Sequence, residues 1–385
     1  MNPLAQACSD ILYKNMNHSN ERVYLLFDTL SPLAQMLSDA YISILPDDAI
    51  AREFKNPPSP LYRGWLINPE NPHATGEIRV VSEFNVEKNI ELGLNHHTAL
   101  EWIETESQIE DQIESIKNEL INLPKWSIVI LVQSANFRLS TFRIRLELFH
   151  RGIHVVEHNH LAYMPDEQFE TVIDTLQYRT PEYIRLHEVI RSVSEKSTST
   201  RIISTDNSVL TFGPTELIRG NTGDYSQVEN KWGTFPIGEL FTEAIDLEDV
   251  NGECLIDTYP QEDFSIVVCE PFQKKKKKGR VLPSPDFPPS FQRLYDLVVQ
   301  YEGEVMVREL GFGLNPGVST EKPLRDINYH ERKVGIHLSL GKKHGIFGKK
   351  LPKDMMQRFH IDVFVALQDV RLGEASIFEK GRWIC

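Results

Sequence analysis

Three short apolar runs, VYLLFD (Val23–Asp28), SIVILVQ (Ser127–Gln133) and IHVVEH (Ile153–His158), alternate with segments of helical spacing. This alternation constrains the first half more than any other feature. Strands without polar interruption are buried on both faces, and strands separated by helices pair in parallel. Ser31-Pro32 offers an N-cap and a first-turn proline ahead of LAQMLSDAYISIL. TESQIEDQIESIKNEL and STFRIRLELFHR read as further helices, RVVSEF as a strand, and the stretch around Pro57, Pro58 and Pro60 as irregular. TPEYIRLHEVIRSVSEK (Thr180–Lys196) is an amphipathic helix opened by Thr-Pro, and STST (Ser197–Thr200) after it is a small polar break. The reading is an N-terminal α/β domain with a parallel sheet over residues 1–196, ending at that break.

Residues 197–385 have another texture. RIIST, SVLTF, GECLID, FSIVVCE, VGIHLSL and HIDVFVA read as short strands between Gly, Asn and Asp turns, with PPSFQRLYDLVVQ as a helix. This half reads as a β-rich α+β domain. A chain of 385 residues is long for one core, so two domains fit its length as well. GFGLNPG (Gly311–Gly317) is glycine-rich but lacks the Lys-Ser/Thr of a phosphate loop and does not fit GxGxxG.

The net charge of −14 argues against nucleic acid as the main partner, since that binding rests on phosphate neutralisation. KKKKK (Lys274–Lys278) dissents locally; Gly279 and the flanking Pro271 and Pro283 favour a solvated loop between two strands. No apolar run is long enough for a transmembrane helix, and MNPLAQACSD lacks the basic start and apolar core of a secretory signal. Cys8, Cys254, Cys269 and Cys385 form neither a CxxC pair nor a disulfide framework. The expectation is a cytoplasmic protein, away from membranes.

The β-rich half carries Glu239 in TFPIGELFTEA, Glu309 in VRELGFGLNPG, Glu331 and His337 in HERKVGIHLSLG, and His360 and Asp362 in RFHIDVF. His360 and Asp362, two apart, share one face of a strand. Carboxylate oxygen and imidazole nitrogen suit zinc, manganese, cobalt or iron(II). The same residues also read as hydrogen-bonded polar groups in a core, and spacing alone leaves both readings open.

Four ordered motifs, FPIGELFTEAIDLEDVNG, ELGFGLNPG, HLSLGKKHGIFGKK and HIDVF, resemble the aminopeptidase T family of metallopeptidases. NTGDYSQVENKWGTFP before Glu239, and GIHVVEHNHLAYMPDEQF with the Thr180 helix and SVLTFG, extend the resemblance across most of the chain. It implies one or two divalent ions per chain, held by Glu239, Glu309, His337, His360 and Asp362, with Glu331 as a further ligand at a spacing that departs from the family. It also implies a homodimer that encloses the site, and a small peptide or other small molecule as substrate. An ion of this kind activates water and polarises a carbonyl, and Glu309 would bridge two ions or take the proton. One departure stands out. Family members carry a tyrosine shortly after the HxALG histidine; here that position falls near His344, which can donate a hydrogen bond to an oxyanion. Lys342, Lys343, Lys349 and Lys350 replace smaller or neutral residues beside it.

GFGLNPG and HIDVF also resemble segments of iron(II)-dependent 2,5-dihydroxypyridine ring-cleaving dioxygenases, in which two histidines and a carboxylate hold iron. Glu309 stands here where those enzymes carry histidine, with His337 as the replacement imidazole. The motifs favour the hydrolase. A binding or regulatory protein with an altered site is the third reading, distinguished by whether the five ligands converge. Outside this set, His158 and His160 in HVVEHNH share a strand face and offer a metal reading, but with His154 they read more readily as strand-end residues; the NHH at 95–97 reads as a loop, Asp224 and Tyr225 as either a turn or a loop that approaches the site, and Trp126 and Phe149 as core.

Overall fold

The computed structural model describes residues 2–55, 62–66, 76–80, 111–134, 144–226, 228–261, 265–341 and 360–384. Its first layer is a five-stranded parallel sheet. Strands Trp232–Thr234, His154–His158, Ile128–Val132, Val23–Phe27 and Ile50–Glu53 lie side by side in that order. The three apolar runs form its centre and are buried along their whole length. Alternation sorts their side chains between two cores. Leu25, Ile130 and Val156 pack with Leu33, Ala34 and Leu37 of helix Pro32–Ile42. Tyr24, Leu26, Val129 and Leu131 face Ile113, Ile116 and Leu120 of the helix at 111–121, and Leu148 of helix Ile144–His150. Ser31 caps helix Pro32–Ile42 by accepting the Ala34 N–H at 3.3 Å, with Pro32 in its first turn.

The second layer is a curled sheet of thirteen strands. Its central run, all antiparallel, is Asn251–Pro260, Ile361–Val365, Gly335–Leu340, Val307–Gly313 and Glu239–Thr242. Helix Pro289–Glu302 covers one part through Phe291, Leu294 and Val298, which are buried. The architecture is thus a parallel α/β sheet followed by a large antiparallel sheet. The chain also crosses back, because Trp232–Thr234, well past residue 196, supplies the edge strand beside His154–His158.

Several local readings change. The lysine run is a strand end. Strand Ile266–Lys277 continues through it, and Lys278-Gly279, both at positive φ, turn into strand Arg280–Val281. Alternation sends Lys274 and Lys276 inward: Lys274 Nζ lies 4.7 Å above the Phe291 ring, and Lys276 Nζ donates to Cys254 Sγ at 2.8 Å. The start of RVVSEF ends strand Gly76–Val80, which pairs antiparallel with Tyr62–Leu66 in a separate small sheet rather than extending the parallel one. Trp126 is 38% exposed and Phe149 36%, so neither is core; Trp126 lies under the Lys125 ammonium at a surface turn. Pro57, Pro58, Pro60 and the histidines at 96 and 97 lie outside the described residues.

Candidate metal centre

Four adjacent strands bring the predicted residues together. Asp362 pairs with Ser339 across one strand boundary, and Ser339 with Glu309 across the next. These three side chains form a row on one face of the sheet. His337 pairs with Gly311, and Glu239 with Gly313. Glu309, Gly311 and Gly313 alternate along one strand and therefore share a face. The glycines clear that face. A Cβ on Gly311 would lie 1.9 Å from His337 Nε2. The glycine-rich motif thus makes room for an imidazole rather than for a phosphate.

Two triplets of ligand atoms result, Glu239–Glu309–His337 and Glu309–His360–Asp362, each with its atoms within 4.8 Å of one another. Glu309 belongs to both. His337 Nε2 lies 3.2 Å from Glu239 Oε1, and its Nδ1 has no hydrogen-bond partner among the described residues although the ring is buried. His360 Nε2 lies 3.0 Å from Asp362 Oδ1 and 4.0 Å from Glu309 Oε1. The side chain of His360 is 42% exposed, so it marks the open edge of an otherwise buried set. Glu331 stands outside both triplets, ion-paired to Arg332.

Three residues at the site carry no metal-ligand signature in the sequence. Ser339 Oγ touches Glu309 Oε1 at 3.0 Å, His360 Nε2 at 3.1 Å and Asp362 Oδ1. Its place two residues after His337, on the same strand face, was the available signal. Arg332 Nη1 donates to both Glu239 Oε2 and Glu331 Oε1, and its Nε donates to the Pro236 carbonyl at 3.1 Å. Arg308 sits at a register shift between Val307 and Glu309. Such bulges re-aim side chains next to sites, and Arg308 Nη2 reaches His360 Nδ1 at 2.6 Å. An arginine donating to Nδ1 puts the imidazole proton on Nε2, directed at Asp362.

The charge environment follows from this packing. Burial would raise the Asp362 carboxyl, but His360, His337 and the Ser339 hydroxyl hold it well below the usual range. Burial also opposes ionisation of Glu239, and Arg332, followed by His337, overcomes it. Glu331 goes the other way: burial, with Glu239, Asp362 and Glu309 nearby, outweighs Arg332 and raises it well above the usual range. Burial would lower His337, but Glu239 and Asp362 raise it instead. The set fits a divalent ion, with hard oxygen donors, two imidazoles and buried His337 ring nitrogens that have no hydrogen-bond partner among the described residues.

The remaining candidates go elsewhere. His344, with Lys342, Lys343, Lys349 and Lys350, lies outside the described residues. His158 and His160 diverge: His158 Nε2 meets Tyr41 Oη at 2.8 Å, and His160 Nδ1 meets Asp326 Oδ2 at 3.0 Å. His154 Nδ1 accepts the Lys231 N–H. Asp224 is an exposed turn residue that accepts from the Ser226 N–H, and Tyr225 donates to Asn221.

No protein-family model matches the sequence, and no curated protein matches it. Solved structures do match in fold. A 2,5-dihydroxypyridine dioxygenase from Pseudomonas putida KT2440 superposes with a TM-score of 0.56 at 13% identity, covering 100% of this chain and 98% of that one. AmpT from Thermus thermophilus superposes with a TM-score of 0.57 at 11% identity, covering 100% of this chain and 99% of that one.

Proposed function

We propose that the protein is a metal-dependent hydrolase that removes N-terminal residues from short peptides. The observation that carries this reading is the composition of the two triplets: each holds two carboxylates and one histidine, with Glu309 in both. The two-histidine, one-carboxylate set of non-haem iron oxygenases is present in neither. Glu239, Glu309, His337, His360 and Asp362 would hold the ion. When bound, a divalent ion supplies Lewis-acid polarisation of a carbonyl and makes water a usable nucleophile near neutral pH. Glu309 is placed to accept a proton from that water. The carboxylate-rich pocket suits the ammonium of a peptide N-terminus. In this reading His344 donates to the developing oxyanion, and a homodimer in the cytoplasm limits access to small substrates.

The test is metal analysis with an aminopeptidase panel. Activity should vanish on chelation, return with zinc, manganese or cobalt, and be lost in His360→Ala. An active His360→Ala protein would refute the site. The full-length fold match to a dihydroxypyridine dioxygenase supports a second reading, ring cleavage with iron(II). Oxygen uptake driven by a dihydroxylated ring would establish it and remove the peptidase.

A further inference from the structure

We propose that Ser339 is itself a metal donor, so that an alcohol oxygen completes the Glu309–His360–Asp362 triplet. This rests on the metal reading above and adds a ligand to it. Sheet register places the residue. Ser339 pairs with Glu309 on one side and with Asp362 on the other, so its side chain stands between the two carboxyl groups. It is fully buried. Its Oγ touches an atom from each member of the triplet: Glu309 Oε1 at 3.0 Å, His360 Nε2 at 3.1 Å, and Asp362 Oδ1. His360 Nε2 is in turn 3.0 Å from Asp362 Oδ1 and 4.0 Å from Glu309 Oε1. Oxygen and nitrogen donors lie about 2.0–2.2 Å from a zinc-sized ion. An ion held by these three atoms therefore sits among them, beside the one oxygen that touches all three.

Hydrogen bonding alone uses this serine poorly. A hydroxyl carries one proton, so it can donate to only one of the two carboxyl oxygens it touches. A cation takes lone pairs from the hydroxyl and from both carboxylates together. An independent observation points to an ion at the same centre. Glu309 is shared with the triplet of His337, which is buried and has no hydrogen-bond partner for either ring nitrogen among the described residues. An alcohol is a hard donor. With Ser339 the second triplet becomes three oxygens and one imidazole, a set that tilts preference towards Mn(II).

Alanine cannot test this, because it removes a donor and a supporting hydrogen bond alike. Cysteine can, since sulfur bound to Co(II) absorbs where oxygen does not. Metal-free full-length wild type and Ser339→Cys are loaded with Co(II) and their spectra compared. The variant should gain a sulfur-to-Co(II) charge-transfer band in the near ultraviolet that the wild type lacks, and its preference should shift from Mn(II) towards zinc. Co(II) bound to the variant without that band would overturn the inference. The wild type also decides by itself, in a crystal structure with Mn(II) located by anomalous scattering. Ser339 Oγ should lie about 2.2 Å from the ion. An ion held by Glu309, His360 and Asp362 with Oγ out of reach would overturn the inference and leave the metal reading intact. So would an ion seated only among Glu239, Glu309 and His337. A wild type that takes neither Co(II) nor Mn(II) would remove the metal reading itself, and this inference with it. A Ser339→Cys protein that misfolds protects nothing, because the wild-type structure still decides.

Discussion

Replacing Gly311 with alanine tests whether His337 is a ligand without touching a charged group. The new Cβ would lie 1.9 Å from His337 Nε2, 2.1 Å from its Cε1 and 2.5 Å from its Cδ2, so it meets the ring broadside. Ordinary contact begins at 3.4 Å, and the nearest ring atom must therefore retreat by about 1.5 Å. Backbone movement cannot supply this cheaply, because Gly311 and His337 are register partners in paired, buried strands. The ring must rotate instead. Ligand distances tolerate about 0.2 Å, so a displacement several times larger removes His337 from the donor set. Overpacking should cost about 1–3 kcal/mol of stability. Metal affinity should fall by more than about 100-fold, beyond the usual effect of losing only a supporting hydrogen bond. Calorimetric titration with Mn(II) and denaturant unfolding read the two quantities separately. In the double variant Gly311→Ala/His337→Ala the clash is gone, so stability should recover while affinity does not. A folded Gly311→Ala protein with wild-type affinity would refute the role of His337.

Other residues make equally specific demands. Ser339→Ala should weaken metal binding about 10- to 100-fold with little change in folding, because the hydroxyl holds three candidate ligand side chains; unchanged affinity in a Mn(II) titration would reduce Ser339 to packing. His158 is wholly buried, and burial lowers its pKa from 6.5 to about 3. The unfolded chain therefore binds a proton that the fold refuses, and stability falls as pH drops from 6.5 towards 3, by about 4 kcal/mol for this group. His158→Gln should flatten that part of the acid-unfolding curve; an identical slope would contradict the assignment. Lys274 has no hydrogen-bond partner among the described residues, and burial, with Lys276 beside it, holds it well below the usual lysine range. Lys274→Met should stabilise the protein by about 1–3 kcal/mol at pH 7. The gain should shrink as pH rises towards 10.5, where the unfolded lysine also loses its proton; a destabilised variant in urea unfolding would show that the ammonium is needed.

The parts of the molecule legible in the sequence are those where one local signal suffices. An apolar run such as SIVILVQ admits few environments, and Ser31-Pro32 announces a helix start by chemistry alone. The lysine run misled because composition spoke against burial, whereas period-two alternation carried Lys274 and Lys276 inward against Phe291 and Cys254. The return of Trp232–Thr234 to the parallel sheet has no local mark, since pairing at an edge is a long-range property. At the candidate site, the five residues that the strands bring together stood in the sequence as ordered motifs, but their neighbours carried no such mark. Arg308 and Arg332 each follow or precede a glutamate in the chain, which reads as ordinary surface patterning. Only the sheet register, the bulge at Arg308 and the burial of both guanidiniums give those charges a purpose.

The N-terminal half bears on the site through a polar seam rather than through a ligand. Asp326 caps the short helix Ile327–His330 by accepting the Asn328 N–H, and its other carboxylate oxygen meets His160 at the end of the parallel sheet. Asn328 Nδ2 lies 3.0 Å from the same imidazole nitrogen. Glu331 and Arg332 follow that helix directly, so the segment presenting the guanidinium is anchored across the layer boundary. A second anchor lies on the strand side. Asn315, just past the glycine-rich strand, donates to the Thr175 carbonyl of the N-terminal half and to the Ile237 carbonyl beside Glu239. Buried hydrogen bonds of this kind contribute little net energy but cost about 1–3 kcal/mol when one partner is lost. Their main effect is positional. The two layers share the task of holding Arg332 against Glu239 and Glu331, and a loosened seam would therefore act on the candidate site first through Glu239, whose charge Arg332 compensates.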